Sequence, residues 1–305
     1  MNEKYVVNVP VATVWTSPAS PREIDTIAVS GNCDIKAWID SLYFETLLDL
    51  CNSNRVQTQV LYGEEVIVIE VIEEWASVII PSQPSSKHPQ GYPGWLPLCQ
   101  LVLVQSHEQT TFEQMVIVTS QSALMKKSED QNEIQLSFAT ILPVQLNEGD
   151  RFIVHTPTGL GIISVQDVTV CYPNIKGGNE DFIRSGEAFL GLPYLWGGMS
   201  SFGYDCSGFM YNMCRANGYT IPRDAHDQAT SGIEVPLTEL KAGDLLFFAY
   251  EEGKGSIHHV GFYYGDGRML HSPNTGKTIE IIKLEGTLYE KELCAARRYS
   301  TEEPT

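Results

Sequence analysis

The sequence predicts an all-β N-terminal portion, built as two small barrels, followed by an α+β domain. Three observations predict this. Short apolar runs separated by Gly, Pro and Ser turns fill roughly the first 170 residues. The pattern recurs in a weaker echo, as an internal repeat would. Beyond Pro173 helical periodicity comes first and strands follow, an α+β order.

The first barrel is expected over residues 1–105. Val6, Val7, Val9 and Val11 open a strand pattern, and Val60–Glu70, Trp75–Ile80 and Gly94–Pro97 continue it. Between them Ile35, Trp38, Ile39, Leu42, Leu47 and Leu48 recur at spacings of three and four. That spacing predicts an amphipathic helix with Asp34 as N-cap, an insertion at about 34–55 between the first two strands. Ser82 to Pro93, rich in Pro, Ser and Gly, reads as a loop of this barrel. The second barrel, 112–172, is expected from Met115–Val118, Ala139–Val144, Asp150–Val154, Gly161–Ile163 and Asp167–Val170.

The third region, 178–300, opens with a helical pattern over Glu180–Leu190. A glycine-rich turn leads into Asp205-Cys206-Ser207-Gly208, and Phe209, Met210 and Met213 mark a buried helix face ending near Gly218. Strands are expected at Gly243–Phe248, His259–Tyr264 and Arg268–His271.

Composition narrows the function. The chain has 305 residues, 43% of them hydrophobic, so it can bury a core. Its 38 acidic against 20 basic residues give a net charge of −18, which repels phosphate backbones and anionic lipid surfaces. Nucleic acid and membrane are therefore not expected as partners. No window approaches a membrane span, and the N-terminus lacks a basic start followed by an apolar run. Seven scattered cysteines without a CxxC pair argue for free thiols in a reducing compartment and against a metal site. The expected location is cytoplasmic.

Cys206 sits where the turn meets a helix. The positive end of the helix macrodipole there would favour a thiolate. His259 and His271 follow 53 and 65 residues later, each on a strand. A cysteine nucleophile, a histidine base and a third group holding that histidine form the logic of a triad. Taken alone, a helix cysteine is more often a small buried hydrophobe, and Cys214 reads that way. The remaining five cysteines have no convincing partner.

The stretch Gly191–Gly208, G-L-P-Y-L-W-G-G-M-S-S-F-G-Y-D-C-S-G, resembles the signature of NlpC-type cysteine peptidases, papain-like enzymes that cut cell-wall peptides. Ile221-Pro222-Arg223, Gly243–Phe248, His259-Val260-Gly261 and Met269-Leu270-His271 add further matches in order. Two SH3-like barrels before such a domain, with Leu61–Glu64 and Gly91–Trp95 in the first, resemble γ-D-glutamyl-L-diamino acid endopeptidases of the muropeptide-recycling type. The resemblance implies a papain-like α+β catalytic domain. It also implies hydrolysis of the bond after γ-D-glutamate, before L-Lys or diaminopimelate, in peptides with a free N-terminal L-Ala.

The resemblance also implies roles. Cys206 attacks the γ-carbonyl, His259 is the base, and His271 orients it; His258 is an adjacent confounder. Tyr194 donates to the oxyanion beside the Cys206 N–H. Asp205 and Ser207 grip the L-Ala amine, with Glu64 and Tyr92 of the first barrel added. Arg223 is a natural counter-charge for the D-Glu α-carboxylate, and Trp196 shapes the pocket wall. Ala225 stands where the family usually has serine, so one substrate hydrogen bond is missing or Asp224 replaces it. The plainer alternatives are helix capping for Asp205, a structural ion pair for Arg223, and simple packing for Tyr194 and Trp196. No metal or organic cofactor is required, and a monomer acting on small muropeptides is expected. Two rival readings remain: a secreted hydrolase or amidase of intact peptidoglycan, and a non-catalytic SH3-like protein that binds wall peptides.

Overall fold

The computed structural model describes residues 4–104, 112–128, 132–172 and 175–300. The barrel boundary expected at 105 and the change of character at Pro173 lie outside the described residues. The chain divides into two compact units. One comprises Met1–Ser82, Lys87–Tyr172 and Ser200–Phe202; the other comprises Gln83–Ser86, Pro173–Met199 and Gly203–Thr305. The stretch read as a loop of the first barrel is thus split, with 83–86 grouped in the second unit.

The first unit opens with β1 (Lys4–Val7) and β2 (Val11–Trp15). These were expected as one strand. Pro10, which lacks an N–H and has a fixed φ, falls between them. Three short helices follow: α1 (Thr26–Val29), α2 (Ile35–Ser41) and α3 (Phe44–Asn52). The helical insertion therefore lies after the second strand, and its main helix is two. Asp34 caps α2 by accepting the Ala37 N–H at 2.9 Å. Leu42 is extended and ends that helix, and α3 starts afresh as the Thr46 hydroxyl accepts the Tyr43 N–H. Trp38 is fully buried; its indole N–H donates to Asp25, which also pairs with Arg22. Arg22 reaches on to Asp49, tying α3 to the same network.

The sheet continues with β3 (Val56–Leu61), β4 (Glu65–Ile72), β5 (Trp75–Ile80), β6 (Tyr92–Pro97) and β7 (Leu101–Val104), in the order β3-β2-β6-β5-β4-β1-β7. A second sheet is formed by β8 (Met115–Val118), β9 (Ser122–Lys127), β10 (Glu133–Ser137), β11 (Ile141–Asn147), β12 (Arg151–Thr156), β13 (Gly159–Ser164) and β14 (Val168–Cys171). Its order is β10-β9-β13-β12-β11-β8-β14. Counted from its own first strand, this is the order of the first sheet. The weak sequence echo is therefore a repeat of topology. Tyr62 of the first sheet region joins Val118, Met125, Phe152 and Val154 in the core of the second.

The second unit starts with α4 (Asn179–Glu187) and a short pair, β15 (Met199–Ser200) and β16 (Gly203–Tyr204). Next come α5 (Cys206–Ala216), α6 (Ala225–Gln228), β17 (Ile233–Glu234), β18 (Leu245–Ala249) and the distorted turn α7 (Tyr250–Gly253). The chain ends in β19 (Ile257–Gly265), β20 (Arg268–His271), β21 (Glu280–Lys283), α8 (Leu288–Glu292) and β22 (Leu293–Arg298). The antiparallel sheet runs β17-β22-β18-β19-β20-β21. Sequence periodicity found three adjacent strands of the six, β18, β19 and β20, and left β17 and β21 unread. It missed β22, whose Ala and Arg residues favour strand only because β18 pairs with them. No helix among the described residues is long and apolar enough to cross a membrane.

Candidate active site

Cys206 is the first residue of α5 and keeps partial exposure. Asp205 caps the helix, its Oδ1 accepting the Gly208 N–H at 2.7 Å. Gly208 is required there: a Cβ at this position would stand 2.2 Å from the Gly198 carbonyl oxygen. The rest of α5, from Ser207 to Cys214, is buried, so the head of the helix is anchored by its own core.

The sheet supplies the histidines. His259 lies on β19 opposite Phe248, and β20 runs antiparallel with Phe262 facing Leu270. Continuing that register sets His271 across from Gly261. The missing side chain matters: a Cβ on Gly261 would come within 2.9 Å of the His271 Cβ. His271 therefore leans over that position and meets its diagonal neighbour, with His259 Nε2 and His271 Nδ1 2.8 Å apart. Both rings are buried. Tyr289 of α8 packs on both, with ring centroids 5.1 and 5.2 Å away.

The electrostatics correct one expectation. Burial pushes the Cys206 thiol up to about 12, with the Asp205 charge adding to the rise; the Ser207 and Val260 N–H groups and Arg223 pull only part of it back. Burial holds His259 well below its ordinary value, helped by His271 and His258. Burial, then Lys277, lowers His271 to about 3. The shifts thus favour a neutral thiol and two neutral imidazoles at rest, with desolvation the largest cause at each, where a thiolate was expected.

The remaining predicted residues divide. Arg223, 1% exposed, is turned to Asp205: Nη2 to Oδ2 is 2.6 Å and Nη1 to Oδ1 is 3.2 Å. It also donates to the Ser207 hydroxyl at 2.9 Å. Arg223 thus forms a buried ion pair with Asp205, which also caps α5. Tyr194 is buried; its N–H donates to the Lys277 carbonyl and its backbone bridges to Tyr204. Trp196 is half-buried in the same turn. Asp224 precedes α6 without a side-chain cap bond. Among the described residues Asp224, His226 and Asp227 have ligand-type atoms within 4.8 Å of one another, but Ser86 bonds both His226 and Asp227. Glu64 and Tyr92 are buried in the first unit, Glu64 beside Ser82 and Tyr92 against Lys87. His258 is paired with Glu292 at 3.1 Å and stacked on Tyr250. Tyr289 was missed at the sequence level, since nothing in its short helix distinguishes it.

A family model described as the NlpC/P60 family matches residues 191–298, the span holding Cys206, His259 and His271. The chain is also 51% identical over 292 residues to the γ-D-glutamyl-L-lysine dipeptidyl-peptidase of Bacillus subtilis (strain 168), covering 96% of this chain and 97% of that protein. The chain belongs to the NlpC/P60 family. As an NlpC/P60 protein it is a cysteine peptidase. The protein of the same name from Bacillus cereus (strain ATCC 10987) is 38% identical over 304 residues, 98% of this chain and 91% of its own. A crystal structure of an NlpC/P60 family protein from Bacillus cereus ATCC 10987 superposes with a TM-score of 0.94 at 38% identity, covering 97% of this chain and 99% of that one. A second model, described as the YKFC SH3b2 domain, matches residues 118–170. The NlpC/P60 domain is thus preceded by an SH3b domain and a β-rich N-terminal region.

Proposed function

We propose that the chain hydrolyses the γ-D-glutamyl–L-diamino acid bond of small cell-wall peptides carrying a free N-terminal L-Ala. The observation that carries this reading is the buried His259–His271 pair together with Cys206 at the head of α5, whose thiol is bonded by the N–H of Val260, the residue after His259. The names of the two Bacillus relatives, which specify a γ-D-glutamyl-L-lysine bond and dipeptide removal, support the substrate.

Cys206 Sγ attacks the D-Glu γ-carbonyl carbon as its proton passes to His259. Because the thiol is held high and the imidazole low, proton transfer and attack are coupled. The tetrahedral intermediate collapses to a thioester, and the diamino acid leaves with the proton from His259. His259 then deprotonates water, which splits the thioester and regenerates the thiol. The Cys206 N–H and Tyr194 serve the oxyanion. Asp205 and Ser207 face the L-Ala amine, with Arg223 fixing the Asp205 carboxylate. Trp196 and Asp224 border the peptide.

We further propose module limits of 1–105, 112–172 and 178–300, with SH3-like barrels in the first two and a papain-like fold in the third. A monomer in the cytoplasm fits the seven free thiols. Mass spectrometry of L-Ala-γ-D-Glu-L-Lys and its N-acetylated form, with Cys206→Ala as control, tests the function. Release of L-Ala-D-Glu from the free peptide alone, lost in the variant, is the expected result. Equal cleavage of the acetylated peptide would favour a hydrolase of intact wall, and no cleavage of either would overturn the substrate.

A further inference from the structure

His271 has one ring nitrogen bonded to His259 and one that is buried alone. Its Nε2 has no hydrogen-bond partner among the described residues, and the residue is fully buried. A buried polar atom left without a partner calls for an explanation. The carboxylate beside it is Glu280, with Oε1 3.7 Å from Nε2. The strand register explains why. Glu280 is the cross-strand partner of His271 in the β20–β21 pair, so both side chains leave the same face of the sheet. β21 is the edge strand and the Glu280 side chain is 42% exposed, so it is free to rotate. A few tenths of an ångström separate this contact from a hydrogen bond, and such contacts often tighten only when substrate is bound.

The tautomers decide what that contact does. The His259–His271 bond joins two neutral rings, so one of them must donate. If His259 donates from Nε2, its Nδ1 keeps a lone pair for the Cys206 proton, and His271 must carry its hydrogen on Nε2. If His271 donates from Nδ1 instead, His259 carries its hydrogen on Nδ1 and cannot act as the base there. A carboxylate beside His271 Nε2 accepts from the N–H of the first arrangement. In the second it faces a bare lone pair, which it repels. Burial, with Lys277 adding to it, disfavours an imidazolium at His271 and so keeps the ring neutral.

We propose that Glu280 is a positioning residue that fixes the tautomers of both histidines, so that His259 presents a free Nδ1 lone pair to Cys206. This rests on the Cys206–His259–His271 reading above and extends it to a fourth group that never touches substrate. Such outer partners of a catalytic histidine set which nitrogen bears the proton, and a wrong tautomer disables the base without disturbing the fold.

The test compares Glu280→Ala with Glu280→Gln in the full chain. The amide oxygen of Gln still accepts from an N–H. On L-Ala-γ-D-Glu-L-Lys, Glu280→Ala should lower kcat about tenfold or more with KM little changed, a part of the usual general-base contribution. Glu280→Gln should restore most of it. In nitrogen-15 spectra of labelled histidine both rings of the wild type should show the Nε2–H form, and Glu280→Ala should shift part of that population to Nδ1–H. Wild-type kcat in Glu280→Ala, unchanged tautomers, or a Gln variant as slow as the Ala variant would overturn the proposal. The spectra need no turnover, so they judge Glu280 even if the Ala variant folds poorly. Activity surviving in Cys206→Ala would instead overturn the catalytic reading on which the proposal rests.

Discussion

Arg223 grips Asp205 through two parallel contacts, Nη2 to Oδ2 at 2.6 Å and Nη1 to Oδ1 at 3.2 Å, one residue before Cys206. The guanidinium is nearly fully buried, so the pair is desolvated and neither charge can be left alone cheaply. Arg223→Met should therefore lower stability by about 3–5 kcal/mol, because it leaves the Asp205 carboxylate without its partner. Arg223→Lys, which keeps the charge but not the fork, should cost less. Denaturant unfolding monitored on the second unit measures both, and an unchanged midpoint for Arg223→Met would contradict the ion-pair assignment.

The neutral resting thiol has a kinetic signature. With Cys206 held at about 12, iodoacetamide should alkylate it slowly at neutral pH, the rate rising about tenfold per pH unit between pH 6 and 9. A thiolate–imidazolium pair would give a flat profile across that range. Mass-resolved labelling of Cys206 separates the two cases.

Acid should weaken the fold through the buried imidazoles. The unfolded His271 takes up a proton near its ordinary value of 6.5, whereas the folded one resists until about 3. Its folded value is depressed, so its contribution is present above 6.5 and is lost as pH falls toward 3. His259 acts in the same direction. Thermal melts of His271→Asn, which cannot titrate, should show a flatter decline through this window than the wild type. The difference should be on the order of a few kcal/mol at the acid end. An equally steep decline would remove His271 from the account.

The helical insertion hangs on one carboxylate. Asp25, fully buried, accepts from Trp38 and pairs with Arg22. Asp25→Ala strands the Trp38 N–H and leaves Arg22 with Asp49 and the Thr46 carbonyl alone, and should cost about 3–5 kcal/mol. Calorimetry of the first unit's transition should show a lowered midpoint, while the rate of Cys206 alkylation stays as in the wild type. A shift within error would show that the helices are held by packing alone.

Gly261 makes room for the histidine pair. In Gly261→Ala the new methyl would stand 2.6 Å from the Met269 sulfur and 2.9 Å from the His271 Cβ. Met269 is flexible and can yield, but the His271 backbone cannot. The variant should remain folded and lose about tenfold or more in kcat as the 2.8 Å bond is disturbed. Steady-state kinetics beside a melting curve check both halves.

Much of this protein was legible in its sequence because the relevant physics is local. The turn-to-helix placement of Cys206, Asp34 as a cap, the buried face of α5 and the middle strands of the C-terminal sheet all follow from periodicity and residue type within a few positions. So did the repeat, although only the common strand order made it certain. What lay beyond reach was pairing across long separations. The sequence could not show that β22 closes on β18, that Leu42 breaks the insertion into two helices, or that Gly261 lets His271 reach His259. Nor could it decide the protonation of Cys206. The dipole is a property of one helix, but desolvation depends on everything packed around the sulfur, and it is the largest cause here. Arg223 shows the same division: its residue type suggested an anion partner, and only the tertiary fold brings it against Asp205, 18 residues away in sequence.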